Sequence, residues 1–399
     1  MIASALSGGG AEAVARLMVQ EIDGVRCVLF ENKAGVKIPG RRVDKIQRLG
    51  GDSLFGKALS NVWRVVYVQY VKIMMQPRIT ISHLEGPNFT NILTFFGGRR
   101  ILFVHNRVSS NYQQDSFVDS LKVKLIKWLY HRANLVLGVS PDICTELVEV
   151  FGVSSERINV LPNPIDIAEI RENSNKSYGD SRDNLCDQRY LISLASLTHQ
   201  KNHKLLIRSF KKLVDASQNY SDLKLVLVGE GEKRIELEDL CTELELSKTR
   251  YDRSGFDLSA RVVFMGFQSN PFPLLRKAQL LVMPSLWEGL PISLLETLAL
   301  GVPPVVSNCS SGVRAVFDYP AEDTISSDSG ESVRTPVGVL VTGSVAEDDS
   351  TAVDLWAAVI GETLTDTDYL ESCISGSTDR ALEYDLSRIR GIWEKSLYR

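Results

Sequence analysis

The chain has 399 residues, too many for one ordinary hydrophobic core, so two domains are expected. Hydrophobic residues at 44% and charged residues at 24% are ordinary globular usage, and a formal charge of −4 gives no footing for nucleic acid. The charge is uneven: residues 1–160 hold 20 Lys and Arg against 13 Asp and Glu, and the remainder holds 25 against 36, so the first half favours an anionic partner such as phospholipid or a polyprenyl diphosphate.

The chain opens on a short apolar run and three glycines, Gly8, Gly9 and Gly10, before "AEAVARLMVQ", which reads as helix. Glycines there permit close approach of backbone to an anion or a sugar. Short β-branched runs follow, with helical patterns between them: "RCVLF" at 26, "RITISHL" at 78, "RILFVHN" at 100, "NLVLGVS" at 134 and "INVLPN" at 158. They read as buried parallel strands of an alternating β/α layer. The third ends at His105, beside Asn106 and Arg107. "SFVDSLKVKLIKWLYHRAN", from Ser116 to Asn134, carries Lys122, Lys124 and Lys127 among apolar residues on two sides. A domain helix is the first reading of it, and a helix lying on a membrane surface the second.

Residues 167–189 are polar and turn-rich and are expected to link two domains. A second strand series begins with "YLISLASL" at 190, followed by "LKLVLVGEG" at 223, "RVVFMGF" at 261, "QLLVMPS" at 279 and "VPPVVSN" at 302. The expected architecture is therefore α/β with two Rossmann-like, doubly wound domains, at 1–166 and 190–379. "AEDTISSDSGESVRTP" from Ala321 reads as an acidic surface loop. The closing residues 380–399 have helical spacing with Leu382, Leu386, Ile389 and Trp393 on one side, so they should dock on a core.

The most informative stretch is "WEGLPISLLETLALGVPPV", Trp287 to Val305. After the strand ending near Ser285 the chain turns, and Pro291 suits the first turn of a helix that stops at Gly301 with Pro303 beyond. Backbone N–H groups around Gly289, Leu290, Pro291 and Ile292, with a positive helix end, then stand at the carboxyl edge of a parallel sheet, where phosphorylated ligands bind. Glu296, inside that helix, can reach back over the mouth and accept two hydrogen bonds from a cis-diol such as ribose. Glu288, in the loop before it, can take the hydroxyls of a second polyol. That geometry asks for a nucleotide-sugar. Lys201 follows the strand at 190 and would open the next helix, well placed for a phosphate.

The six cysteines are dispersed, with no C-x-x-C pair and no histidine at metal-ligand spacing, so reduced thiols in a cytosolic protein are expected. No charged and apolar leader stands at Met1 and no apolar run reaches the 18 or more residues that span a membrane. "DTD" at Asp366 to Asp368 has the look of a metal-binding D-x-D, but its acidic, helix-like setting reads as a solvated face. No required metal and no other cofactor is expected.

The stretch from Ser285 to Gly312 resembles the retaining glycosyltransferases of family four, whose signature is a Glu, seven residues and a Glu in such a setting. "SGGGAE" at 7–12, "FVHN" at 103–106, "VLPNPID" at 160–166, "HQKNHKLLIRSF" at 199–210, "LVGEG" at 227–231 and "FMGF" at 264–267 resemble further landmarks of that family. The resemblance implies the two-Rossmann GT-B architecture with an interdomain cleft, an N-terminal acceptor domain, a C-terminal nucleotide-sugar domain, and a last helix crossing back to the first. It implies catalytic or positioning roles for Glu288, His105 and Lys201. It also implies donor contacts from Glu296, Gly8, Gly9, Gly10, Ser196, Gly229, Gly266, Phe267, Gly289, Leu290, Pro291 and Ile292.

Two positions depart from the pattern. Ser196 stands where the family normally has an arginine on the diphosphate, for which Arg234 is a candidate substitute, and Ala315 stands where a glutamate is usual. The expected activity is transfer of a hexose or N-acetylhexosamine, with retention, from a nucleoside diphosphate sugar, UDP-sugar favoured. The expected acceptor is a glycan or polyprenyl-diphosphate-linked glycan of capsule or O-antigen synthesis, met at the inner face of the cytoplasmic membrane. A sugar-nucleotide epimerase of the same fold, and a non-catalytic nucleotide-sugar binder assisting a transferase, are the alternatives.

Overall fold

Residues 1–6, 9–31, 38, 40, 42–46, 53–109, 117–252, 255–320 and 331–398 are described by this computed structural model. They form two compact units, Met1–Pro164 with Ile389–Arg399, and Ile165–Arg388.

The first unit alternates strand and helix: β1 (Ile2–Ala3), α1 (Gly10–Glu21), β2 (Arg26–Leu29), β3 (Arg42–Lys45), α2 (Leu54–Met75), β4 (Ile79–His83) and α3 (Glu85–Leu93). It continues through β5 (Arg99–Val104), α4 (Phe117–Tyr130), β6 (Leu135–Gly138), α5 (Pro141–Glu149) and β7 (Ile158–Val160). The strands make one parallel sheet in the order β3-β2-β1-β4-β5-β6-β7. Alternation along each strand divides the core between its faces. Ala3, Cys27 and Leu29 pack with Ala15 and Val19 of α1, while Ile2 and Val28 pack with Val68 and Val71 of α2. Because β1 lies between β2 and β4, the winding reverses there, and a crevice opens beyond the carboxyl ends of those strands.

The second unit contains α6 (Ile167–Ser174), α7 (Ser181–Cys186), β8 (Tyr190–Leu194), α8 (His203–Ala216), β9 (Lys224–Val228), α9 (Arg234–Glu243), β10 (Lys248–Arg250) and β11 (Val262–Gly266). After these come α10 (Phe272–Lys277), β12 (Leu280–Met283), α11 (Ile292–Ala299), β13 (Pro304–Ser307), α12 (Ser311–Val316), β14 (Ser332–Arg334) and β15 (Val339–Val341). Three helices close the chain: α13 (Ser350–Thr365), α14 (Thr367–Ala381) and α15 (Leu386–Tyr398). The sheet order is β10-β11-β9-β8-β12-β13-β15-β14, parallel except for β14 on the edge. Leu225, Leu227, Val262, Val282 and Val305 form its core with Leu206 and Phe210 of α8 and Trp356 and Ile360 of α13. Here the winding reverses at β8, between β9 and β12.

Three local expectations are revised. Residues 167–189, expected as a linker, form α6 and α7. Asp166 and Asp180 cap these helices, Ile167, Ile170 and Leu185 are buried, and Arg171 donates to the Ala299 carbonyl at 3.1 Å. Polar composition hid them because only a few apolar positions anchor each short helix. Of the expected 321–336 loop, residues 321–330 lie outside the described residues and 332–334 form β14. In the closing segment Leu386, Ile389 and Trp393 are buried as expected, but Leu382 is 54% exposed because a short 3₁₀ turn, Leu382–Tyr384, shifts its phase from that of α15. Arg99 donates to the carbonyl of Leu397 at 3.2 Å, and Arg390 pairs with Glu21 at 2.9 Å.

Candidate functional site

At the carboxyl edge of the second sheet, the loops after β8 and β12 flank the reversal point. The loop from Pro284 to Pro291 is clamped from both sides. Gln200 accepts from the Leu286 N–H at 2.9 Å and donates through Nε2 to the Trp287 carbonyl at 2.7 Å, and Asn202 Nδ2 donates to the Pro284 carbonyl at 3.1 Å. On the other side Ser307 Oγ donates to the Ser285 carbonyl at 2.6 Å and Ser310 Oγ to the Gly289 carbonyl at 3.0 Å. Asn202 has φ +54°, a left-handed conformation that asparagine tolerates better than most residues, and this turns the chain into α8.

That framework brings Lys201 and Glu288 together, Nζ to Oε1 at 2.5 Å, with only 3% of Glu288 exposed. A carboxylate so deeply buried is stable only if paired, and the lysine is its charge partner. Cys309 lies close by, its thiol pushed up to about 12 by burial and then by the Glu288 charge, so it stays protonated and is a poor nucleophile. Gly289, Leu290, Pro291 and Ile292 are buried where the loop enters α11, and Glu296 is half-buried five residues into that helix.

Ser196 follows β8 and is exposed. Arg234, considered as its substitute, is held by the Glu230 carboxylate at 3.1 and 3.2 Å, which offsets its charge. Gly229 and Gly231 have a packing reason to be glycine, and Gly266 a conformational one, with φ +64°. A Cβ at Gly229, where φ is +146°, would lie 2.0 Å from the Ala195 carbonyl oxygen, and one at Gly231 would lie 2.2 Å from that of Leu197. The Gly266 carbonyl accepts from the Gly229 N–H at 2.9 Å, and Phe267 beside it is 56% exposed. Ala315 lies in α12, where its carbonyl accepts from Arg380.

At the corresponding edge of the first sheet, His105 follows β5. Sequence reasoning missed its partner, His83, at the end of β4. His83 Nδ1 lies 3.1 Å from His105 Nε2, both rings stack on Phe103, and the exposures are 1% and 7%. Burial is the main cause that lowers both imidazoles, His105 to about 3 against a slight opposing effect of Asn163, and His83 well below its usual range. At neutral pH two uncharged rings therefore share one N–H, which leaves one outward nitrogen a donor and the other an acceptor. His83 Nε2 has no hydrogen-bond partner among the described residues. The signal that would have found His83 is its strand-end position in "ITISHL", the same as that of His105 in "LFVHN".

The segment after His105 is fixed by Glu146 of α5, which accepts from the N–H of Val108 at 2.7 Å, that of Ser109 at 3.3 Å and the Ser109 hydroxyl. Arg107 Nε is 3.7 Å from the same carboxylate. Gly9 caps α1 and Gly10 begins it, while Gly8 lies outside the described residues. Glu12 already supplies a negative charge to that helix's first turn. Asp366, of the "DTD" run, caps α14 through the Tyr369 N–H at 3.0 Å and pairs with Arg334 at 2.5 Å. Among the described residues no group of three or more His, Cys, Asp or Glu could hold a metal ion.

Residues 8–169 match the model of Glycosyltransferase Family 4 and residues 181–319 that of Glycosyl transferases group 1. The 4-alpha-N-acetylgalactosaminyltransferase of Campylobacter jejuni, which acts on N-acetylgalactosamine-N,N'-diacetylbacillosaminyl-diphospho-undecaprenol, is 29% identical over 59% of this chain and 58% of its own length. The Escherichia coli UDP-Gal:alpha-D-GlcNAc-diphosphoundecaprenol alpha-1,3-galactosyltransferase is 25% identical over 44% of this chain and 43% of its own. The chain thus spans 58% of the length of the first curated relatives it matches. HepE of Anabaena, crystallised with UDP and glucose, has the same fold at 19% identity, with a TM-score of 0.73 over 100% of this chain and 99% of that one. The GT-B fold expected from the sequence is the fold observed.

Proposed function

Because the chain belongs to the family 4 glycosyltransferases, with the group 1 region in its second half, we propose that it moves a hexose or N-acetylhexosamine from a nucleoside diphosphate sugar to a lipid-linked glycan. A uridine diphosphate sugar is the favoured donor, with retention at the anomeric carbon, in surface polysaccharide synthesis at the cytoplasmic face of a membrane. The observation that carries this reading is the buried pair of Lys201 and Glu288 at the reversal point of the second sheet, one residue from each flanking loop. The names of the two curated relatives, both acting on diphospho-undecaprenol substrates, support the acceptor class, and UDP in HepE supports the donor.

In this proposal Glu296 accepts from the ribose hydroxyls, and the N–H groups where α11 begins take the diphosphate. Lys201 has three N–H donors, of which Glu288 takes one, so two are left for phosphate oxygens. The second oxygen of Glu288 accepts from Gln200 Nε2 at 3.5 Å and keeps a lone pair for a sugar hydroxyl. The bond from the anomeric carbon to the phosphate oxygen breaks as the acceptor oxygen bonds on the same face, and the acceptor proton passes to the departing phosphate. Charge growing on that phosphate is what Lys201 and the helix end stabilise. With Ser196 replacing a cation and Arg234 held by Glu230, Lys201 carries a larger share of this work. In the first unit His105 positions sugar or acceptor hydroxyls, and His83 fixes its tautomer. An orphaned buried nitrogen costs about 1–3 kcal/mol, which a bound hydroxyl would recover at His83 Nε2.

Calorimetric titration of UDP, GDP and ADP into the full chain and into Glu296→Ala tests the donor half. UDP should bind and the substitution weaken it. Absence of binding by all three nucleotides would overturn the donor role.

A further inference from the structure

The helix α2 is inverted relative to an ordinary surface helix. Its inward side includes Ser60 and Lys72, 2% exposed each, together with Val68 and Val71. Its outward side carries Phe55, Leu59, Val62, Val66, Tyr70 and Ile73, exposed by 43 to 80%. Successive spacings of 4, 3, 4, 4 and 3 put these six on one stripe from Phe55 to Ile73, about 27 Å at 1.5 Å per residue, along most of this 22-residue helix. A helix apolar on both sides is buried, or it meets something apolar.

The stripe is extended by an aromatic turn after α3. Phe95 and Phe96 are 67% and 72% exposed, and Phe96 has φ +60°, unfavourable for a bulky residue. Gln69 of α2 fastens this turn, accepting from the Phe95 N–H at 2.8 Å and donating to the Phe95 carbonyl at 3.3 Å. An exposed aromatic turn that is strained and clipped to an exposed apolar helix has no packing reason within the fold.

Charge identifies the occupant. Over α2 to β5, residues 54–104, one acid, Glu85, stands against Lys57, Arg64, Arg78, Arg99 and Arg100, none of them buried, while Lys72 is turned inward, and α2 itself contains no acid. A second copy would bring the same positive sign to the contact. We infer that α2 and the Phe95–Phe96 turn are a membrane-docking face that lies in the interface of an anionic lipid bilayer, its apolar stripe sunk to acyl-chain depth. No helix among the described residues is long and apolar enough to cross a membrane, so docking is lateral. The helix α4, with Leu125 and Trp128 exposed beside Lys124 and Lys127, offers a second and shorter basic, apolar strip. This inference rests on the lipid-linked acceptor reading for its purpose and extends it by naming the surface.

The test is co-sedimentation of the full chain with phosphatidylglycerol-containing vesicles and with pure phosphatidylcholine vesicles. It needs neither donor nor acceptor. Wild type should partition at least about tenfold more strongly onto the anionic vesicles. The triple variant Val62→Ser, Val66→Ser, Tyr70→Ser, and separately Phe95→Ser, should each lose about tenfold while keeping the thermal midpoint and UDP affinity of wild type. Variants that sediment like wild type, or a wild type indifferent to the anionic lipid, overturn the inference. So does a wild-type dimer in sedimentation velocity that the triple variant dissociates, since the face would then cover a second copy. Unchanged vesicle binding with no UDP binding would instead count against the donor site alone.

Discussion

Lys201 and Glu288 meet across the reversal point of the second sheet, ammonium to carboxylate at 2.5 Å, although 87 residues separate them in the chain. The pair is therefore a structural bond as well as a candidate catalytic element. Lys201→Ala should leave a buried carboxylate uncompensated and lower stability by about 3–5 kcal/mol, read from denaturant unfolding. Glu288→Gln, which keeps the shape and a hydrogen-bonding oxygen, should cost far less stability. Its effect should fall on transfer, at least about a hundredfold in kcat, with UDP affinity changed only a few-fold. Equal losses in transfer and in UDP binding would remove the role assigned to Glu288.

Glu296 is assigned to the ribose, and the assignment has a chemical double of the mutation. If its carboxylate accepts from the ribose hydroxyls, 2′-deoxy-UDP should bind wild type about tenfold or more weakly than UDP, since hydrogen bonds to a charged group are worth about 1.5–3 kcal/mol. Glu296→Ala should bind the two nucleotides almost equally. A full discrimination surviving in the variant would assign the ribose to another residue.

Three buried histidines make stability pH-dependent. His105 and His203 are both lowered to about 3, chiefly by burial, and His83 is lowered well below its usual range. The unfolded chain thus takes up protons first as pH falls through about 6.5, so stability is full above that value and declines toward pH 3. The slope should approach 1.4 kcal/mol per pH unit for each histidine in its own unit. Urea unfolding at pH 7 and about pH 5.5 measures it. His203→Gln should flatten the dependence of the second unit and leave that of the first.

Lys72 gives the opposite end of the pH scale. Burial, with Arg100 nearby, lowers its ammonium to about 7, while it donates to Asn91 Oδ1 at 2.8 Å and to the Asn91 carbonyl at 3.0 Å. The unfolded chain holds that proton up to about 10.5, so raising pH from 7 to 10 should increase the stability of the first unit. Lys72→Met should abolish that rise, which a pair of unfolding curves at the two pH values would detect.

Gly229 and Gly231 are required by the close passage of two loops, irrespective of any ligand. An alanine at Gly231 would stand 2.2 Å from the Leu197 carbonyl oxygen with further backbone within 3 Å, so the loops must part. Gly231→Ala should lower stability by more than about 2 kcal/mol, well beyond an ordinary surface change. A neutral result by thermal unfolding would mean that the two loops separate freely.

The strands were legible because parallel strands buried on both faces leave short, dense runs such as "ILFV" and "LVLV" that nothing soluble explains otherwise. The Glu288 to Glu296 segment was legible because a strand, a turn and a proline-opened helix are local, and their order fixes which sheet edge the loop occupies. The short helices α6 and α7 were not, since a polar segment becomes helical only when a neighbour buries its few apolar residues.

The sequence alone thus determined the alternating architecture and the residue types at the strand ends, which follow from periodicity and turn chemistry, while the strand order that sets the two reversal points came from the tertiary structure. Only the tertiary structure decided which of those residues meet. Lys201 pairs with Glu288, His83 shares a proton with His105, Arg234 is held by Glu230, and α2 turns Lys72 inward and its apolar stripe outward. Such contacts depend on strand register and on which elements become neighbours in space. Those are set by the free energy of packing the whole unit, which no local pattern encodes.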